Sequence, residues 1–108
     1  MTPDEKYAAL VATFSGIRGV SSLAEGKGFG SSGQLKVNGR IFAMLVRGSL
    51  VLKLPRARVD ELVGKRQGVN FDAGKGKPMR EWFALDPASR QAWATLAQEA
   101  LDFVKEQR

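Results

Sequence analysis

Leu35-Lys36-Val37-Asn38-Gly39-Arg40-Ile41-Phe42-Ala43-Met44-Leu45-Val46-Arg47-Gly48-Ser49-Leu50-Val51-Leu52-Lys53-Leu54 decides the fold. Asn38-Gly39 lies between two β-prone runs. A two-residue type I′ turn needs positive φ at both central positions, which Asn-Gly tolerates best. Arg47-Gly48 marks a second turn whose type the residues leave open. The stretch therefore predicts a three-stranded antiparallel meander with strands at 34–37, 40–46 and 49–54. A two-residue loop pairs Val37 with Arg40, Lys36 with Ile41 and Leu35 with Phe42. Opposite residues share a face, so Leu35, Val37, Phe42, Met44 and Val46 are expected on one side, with Lys53 on that same side. Ile41, Ala43 and Leu45 are expected on the other. A middle strand apolar on both sides needs cover on both, because a sheet with one wet face alternates instead.

Working outward, Thr2-Pro3-Asp4-Glu5 reads as a helix start. Thr2 caps, Pro3 suits the first helical position, and Glu5 completes a capping box. Tyr7, Leu10, Val11 and Phe14 give the apolar face of a helix over 3–15. Residues 16–33 read as loop. After the meander, Pro55 opens a helix over 56–66 with Val59, Leu62 and Val63 on one face. Val69-Asn70-Phe71 is a short strand, 72–78 a loop, and Met79 to Leu85 a strand with Trp82 and Phe83 on opposite faces. Asp86-Pro87 caps a final helix over 87–106, with a stripe of Trp93, Leu96, Ala97, Ala100, Phe103 and Val104. The expected fold is α+β: one domain over 1–108, two layers, a five-stranded antiparallel sheet with helices, in the order α-β-β-β-α-β-β-α.

A chain of 108 residues can bury a core without staples. It has no cysteine, which excludes disulfides and thiol chemistry and fits a cytoplasmic protein. No apolar run approaches the roughly 18 residues of a membrane helix, and the acidic helix start is not a signal peptide. The net charge of +6 is segregated. Residues 27–80 hold twelve basic and three acidic groups, while both flanks are mildly acidic. Such segregation attracts a polyanion, or simply keeps the protein soluble and protects sheet edges.

The chemistry-bearing residues are few. With no histidine and no cysteine, the usual general base and most zinc sites are excluded. Asp60-Glu61 are adjacent on a helix and point apart, as on a solvated face. Ser21-Ser22 and Ser31-Ser32 lack a nucleophile elbow. Gly28, Gly30 and Gly33 match G-x-G-x-x-G, but a helix precedes them and a strand follows, the reverse of a dinucleotide site. Lys53 echoes a kinase lysine with none of the other kinase motifs. Trp82 and Trp93 read as core in preference to a ligand platform. Glu81 offers a partner to a sheet lysine such as Lys53, but a lysine that snorkels at the sheet edge is the preferred reading. No catalytic residue, metal, cofactor or small-molecule substrate is expected.

Gly28-Phe29-Gly30, the run Leu35 to Ala43, Leu50-Val51-Leu52-Lys53-Leu54-Pro55 and Met79-Arg80-Glu81-Trp82 together resemble the N-terminal domain of the TfoX/Sxy family. The resemblance spans nearly the whole chain through an ordered set of segments. It implies a two-layer α/β domain with the same element order and a non-enzymatic regulatory role. Full-length members are associated with activation of competence genes alongside a cyclic-AMP-responsive activator. They carry a second, C-terminal domain, whereas these residues hold one. The related YjbR/MmcQ-like proteins are described as DNA-binding-like. No catalytic residue is carried over.

Two kinds of surface are therefore expected. A protein partner, or a second copy in a homodimer, would meet an exposed patch of Leu35, Phe42, Met44, Val46 and Val51. The competing cover for that patch is the 16–33 segment, with Ile17, Val20, Leu23 and Phe29 as plugs. Alternatively, nucleic acid would be held by Lys27, Arg40, Arg47, Arg56, Arg58, Lys65, Arg66, Lys75 and Lys77 as phosphate contacts.

Overall fold

The computed structural model describes residues 2–22, 34–71, 81–86, 88–89 and 91–106, with Ser21 and Ser22 as backbone only. Helix α1 (Pro3–Phe14) starts as the capping residues dictate. The Glu5 N–H donates to Thr2 Oγ1 at 3.1 Å, and the Thr2 N–H donates to Glu5 Oε1 at 2.8 Å. Strand β1 (Val20–Ser22) follows, then β2 (Gln34–Val37), β3 (Arg40–Val46) and β4 (Ser49–Lys53). Helix α2 (Arg56–Gly64), strands β5 (Gly68–Asn70) and β6 (Trp82–Leu85), and helix α3 (Trp93–Glu106) complete the chain.

The fold is α+β, and the five expected strands and three helices occur in the expected order. The short β1 adds a sixth, edge strand, so the antiparallel sheet runs β1-β2-β3-β4-β6-β5. Both turns of the meander have positive φ at both central residues: 52° and 83° at Asn38-Gly39, 50° and 82° at Arg47-Gly48. Both are thus type I′, the hairpin turn whose twist matches the strands.

One pairing in the meander differs from expectation, and it turns side chains over. Val37 opposes Arg40 and Lys36 opposes Ile41, but Leu35 opposes Ala43, so Phe42 is an extra residue in β3. This β-bulge shifts the alternation by one. Leu35 and Val37 therefore share a side with Ala43 and Leu45, and with Leu50 and Leu52 of β4. The bulged Phe42 is also buried in that core, its ring 6.0 Å from Phe14 at 45°. Burying such a ring is worth on the order of 1.5–3 kcal/mol, which offsets the disturbed ladder. Tyr7 from α1 meets the bulge, its hydroxyl donating to the Ala43 carbonyl over a long 3.4 Å.

All three helices contribute to one core on this side. Tyr7, Leu10 and Phe14 of α1, Val59 and Leu62 of α2, and Leu96, Ala97, Ala100, Leu101 and Val104 of α3 pack with Leu35, Leu50, Leu52 and Phe83. Gly68 is required here: a Cβ would stand 2.1 Å from the Ala84 carbonyl oxygen and 2.5 Å from the Phe83 ring.

Two helix ends depart from the sequence reading. The last helix begins at Trp93, not at 87. Asp86 instead accepts the Ala88 N–H at 2.8 Å, and Ser89 Oγ donates to Gln67 Oε1 at 2.6 Å while accepting from the Gln91 N–H. These local side-chain bonds compete with helix formation. Helix α2 ends at Gly64, short of 66. Its closing bonds run from the Arg66 N–H to the Val63 carbonyl and from the Gln67 N–H to the Leu62 carbonyl, both at 3.0 Å. That is a Schellman cap, and the left-handed position is filled by Arg66 (φ 59°) where glycine is usual. The expected 79–81 extension of the last strand does not form at Glu81, and Met79 and Arg80 lie outside the described residues.

Candidate functional site

The bulge and the strand registers determine what stands on the second side of the sheet. Across β2, β3, β4, β6 and β5, Gln34, Met44, Val51, Ala84 and Val69 are successive partners in one row. In the next row Lys53 opposes Trp82. The Phe71 N–H donates to the Trp82 carbonyl at 2.7 Å, continuing the β5–β6 ladder by one step. Phe71, Trp82 and Lys53 therefore lie side by side. Lys36 and Ile41 form another cross-strand pair on this face. None of Ile41, Met44, Val46, Val51, Val69, Phe71 or Trp82 belongs to the core that the helices build or to its half-buried margin.

This face is not the patch expected from sequence. Leu35 and Phe42 are fully buried under the helices because the bulge turned them over. Val51 is on the second face, yet it too is fully buried within the chain. Met44 and Val46 are half-buried. Val69, at 62% exposure, is the exposed large apolar residue among those described. Of the alternative plugs, Ile17 and Val20 pack at the margin of the helix-side core, not over the second face. Leu23 and Phe29 lie outside the described residues.

The aromatic end of the face is also cationic. The Lys53 ammonium sits over the Trp82 indole, 5.8 Å from its centroid. The suggested Lys53–Glu81 pair does not form among the described residues. Trp82 is half-buried outside the main core. The other tryptophan, Trp93, does pack against that core and carries the Lys6 ammonium over its ring at 4.5 Å.

The six predicted phosphate contacts among the described residues do not form one stripe. Lys27, Lys75 and Lys77 lie outside the described residues. Arg40 and Arg56 are exposed at the end of the sheet that holds Lys53 and Trp82. Arg47, Lys65 and Arg66 are exposed at the opposite end. Arg58 is committed to carboxylates: it donates to Glu99 through Nε at 2.8 Å and Nη2 at 3.1 Å, and to Glu61 through Nη1 at 2.8 Å. The Glu99 and Glu61 carboxylates hold its pKa above the ordinary arginine value. Lys65 reaches Glu61 at 3.4 Å, and the hydrogen bonds from Arg58 and Lys65, reinforced by their charges, hold the Glu61 carboxyl below its ordinary value.

Shallow clefts surround Arg66. The larger, about 540 Å³, is lined by Ser49, Val63, Arg66, Gly68, Val69, Ala84, Leu85 and Asp86. Among the described residues no group of three or more Asp or Glu could hold a metal ion, and every buried side-chain polar atom has a partner. Tyr7, deeply buried, has its phenol pushed well above the ordinary range by burial, partly opposed by the Leu35 backbone. Its place at the bulge makes it structural. No helix among the described residues is long and apolar enough to cross a membrane. No protein-family model, curated protein or solved structure matches the chain.

Proposed function

We propose that this is a non-enzymatic, cytoplasmic regulatory domain that acts by binding another macromolecule, as the TfoX/Sxy resemblance implies. One observation carries the reading: all three helices cover one side of the sheet, while the other side presents half-buried apolar, aromatic and cationic residues. A face of that composition is suited to recognition. The sequence contains neither histidine nor cysteine, which leaves little for acid–base or thiol chemistry.

A photo-crosslinking residue at Val69, on the second face, tests this against one at the exposed Gln98 of α3. In the native host, Val69 is expected to give a discrete adduct that Gln98 does not. An adduct of twice the chain mass identifies a second copy as the partner. No adduct from Val69, or equal labelling from both positions, overturns the reading.

A second reading, nucleic-acid binding, is favoured by the position of Lys36, Arg40, Lys53 and Arg56 at or near one end of the sheet. Binding of this kind must weaken steeply with salt, because condensed counterions are released. Binding to DNA that is absent at low salt, or indifferent to salt, rules it out.

A further inference from the structure

We infer that the Phe71–Trp82–Lys53 row binds single-stranded nucleic acid, the rings stacking on bases and the surrounding cations meeting phosphates. The inference rests on the second sheet face being the working surface, and it names the partner class.

Adjacent strands lie about 4.8 Å apart, so the row places two aromatic rings and an ammonium across roughly 10 Å of sheet. Both rings are half-buried, and neither belongs to the core that the helices build. Lys53 Nζ already lies over the indole. A base seated on Trp82 would bring its backbone phosphate within reach of that flexible ammonium. Lys36, two strands away, and the exposed Arg40 and Arg56 extend the positive field along the same end. Glu81 adjoins Trp82 in sequence, and among the described residues it makes no ion pair with Lys53. Asp86 stands at the far end and is engaged with the Ala88 N–H.

Single strands fit this surface better than duplex. In a duplex the base faces are stacked on one another, so the Phe71 and Trp82 rings would have nothing to meet. A single strand offers its base faces to such a platform with little regard for sequence. Self-association would compete for the same face, but its aliphatic share is Ile41, Met44, Val46 and Val69, of which Val69 alone is exposed, with Val51 already buried.

The test uses a fluorescent oligothymidylate and, separately, the corresponding duplex, titrated at low and at physiological salt. Trp93→Phe leaves Trp82 as the sole tryptophan, read by selective excitation at the red edge of the indole band. The expected result is preferential binding of the single strand with quenching of Trp82. Trp82→Leu keeps an apolar side chain while removing the stacking surface, and should weaken binding by about 5- to 150-fold. Lys53→Gln should lower the slope of log K against log salt by about 0.7. Circular dichroism of each variant shows that the fold survives. If Trp82→Leu does not fold, Phe71→Leu takes its place, read by the same binding loss. Equal affinity for duplex, no quenching, or unchanged binding by the folded leucine variant overturns the assignment. Should no oligonucleotide bind while Val69 still forms its specific adduct, the nucleic-acid assignment falls and the second face stands. Loss of both removes the face itself.

Discussion

Arg66→Gly is expected to stabilise the protein although it deletes a side chain. Arg66 closes the Schellman cap of α2 at φ 59°, where an L-residue crowds its Cβ against the following carbonyl. That strain costs about 1–2 kcal/mol. Glycine removes it but gives back about 0.4–1 kcal/mol through the greater freedom of the unfolded chain. Arg66 has no ion pair among the described residues that the change would sacrifice. The net gain is on the order of 0.5–1 kcal/mol. With an unfolding entropy of about 2.1 cal/mol/K per residue, this raises Tm by roughly 2–4 °C. Gly64→Ala makes the complementary change two residues earlier. Gly64 is helical, and a Cβ there meets nothing within 4 Å. Alanine should add about 0.5–1 kcal/mol. Thermal unfolding followed by circular dichroism, with urea midpoints as a second measure, decides both. A fall in Tm for Arg66→Gly would refute the strain argument and show that the guanidinium makes a stabilising contact.

Gly68→Ala should have the opposite sign, because its Cβ would collide with the Ala84 carbonyl and the Phe83 ring; a loss of several kcal/mol, read by urea unfolding, is expected. Tyr7 is the sole tyrosine, and burial raises its pKa. Its neutral form is therefore retained in the folded state while the unfolded chain ionises above about pH 10. Stability contributed by this group is intact below that pH and falls as pH rises, by up to about 1.4 kcal/mol per unit until the folded group also titrates. Tyr7→Phe should flatten that fall, and phenolate absorbance in the wild type should appear together with unfolding. Glu99→Gln breaks a bidentate but half-exposed bridge between α2 and α3. The expected loss is about 0.5–1 kcal/mol, shrinking in high salt, by chemical denaturation.

The element order was legible because its signals are local. Asn38-Gly39 required positive φ, and Thr2, Pro3 and Glu5 could only begin a helix. The faces of the sheet were less legible. One bulged residue, Phe42, reversed the assignment of Leu35, and it did so because a ring contact with the distant Phe14 outweighed regular pairing. The start of α3 was hidden for a similar reason: Asp86 and Ser89 are good caps, but they spend their bonds on Ala88 and Gln67. The candidate row was half visible. Alternation places Val69 and Phe71 on one face and Trp82 and Ala84 on another run of one face. Only the β5–β6 register, which the sequence between them does not specify, makes Phe71 and Trp82 neighbours. Arg58 illustrates the limit for charges, since its carboxylate partner Glu99 lies on a different helix.

The strand order β1-β2-β3-β4-β6-β5 also has a kinetic consequence. Every neighbouring pair except β4–β6 joins strands that follow one another along the chain. Ordering β2, β3 and β4 requires only two two-residue turns, so most of the ladder forms with little loop-closure entropy. The β4–β6 pair must bring together segments separated by α2 and β5. That closure, not the meander, is the step expected to limit the folding rate, because non-local pairing is the slow part of assembling a sheet. Substitutions at Val51, Leu52 or Phe83 that weaken this seam should slow folding more than equally destabilising changes in the β2–β3 hairpin.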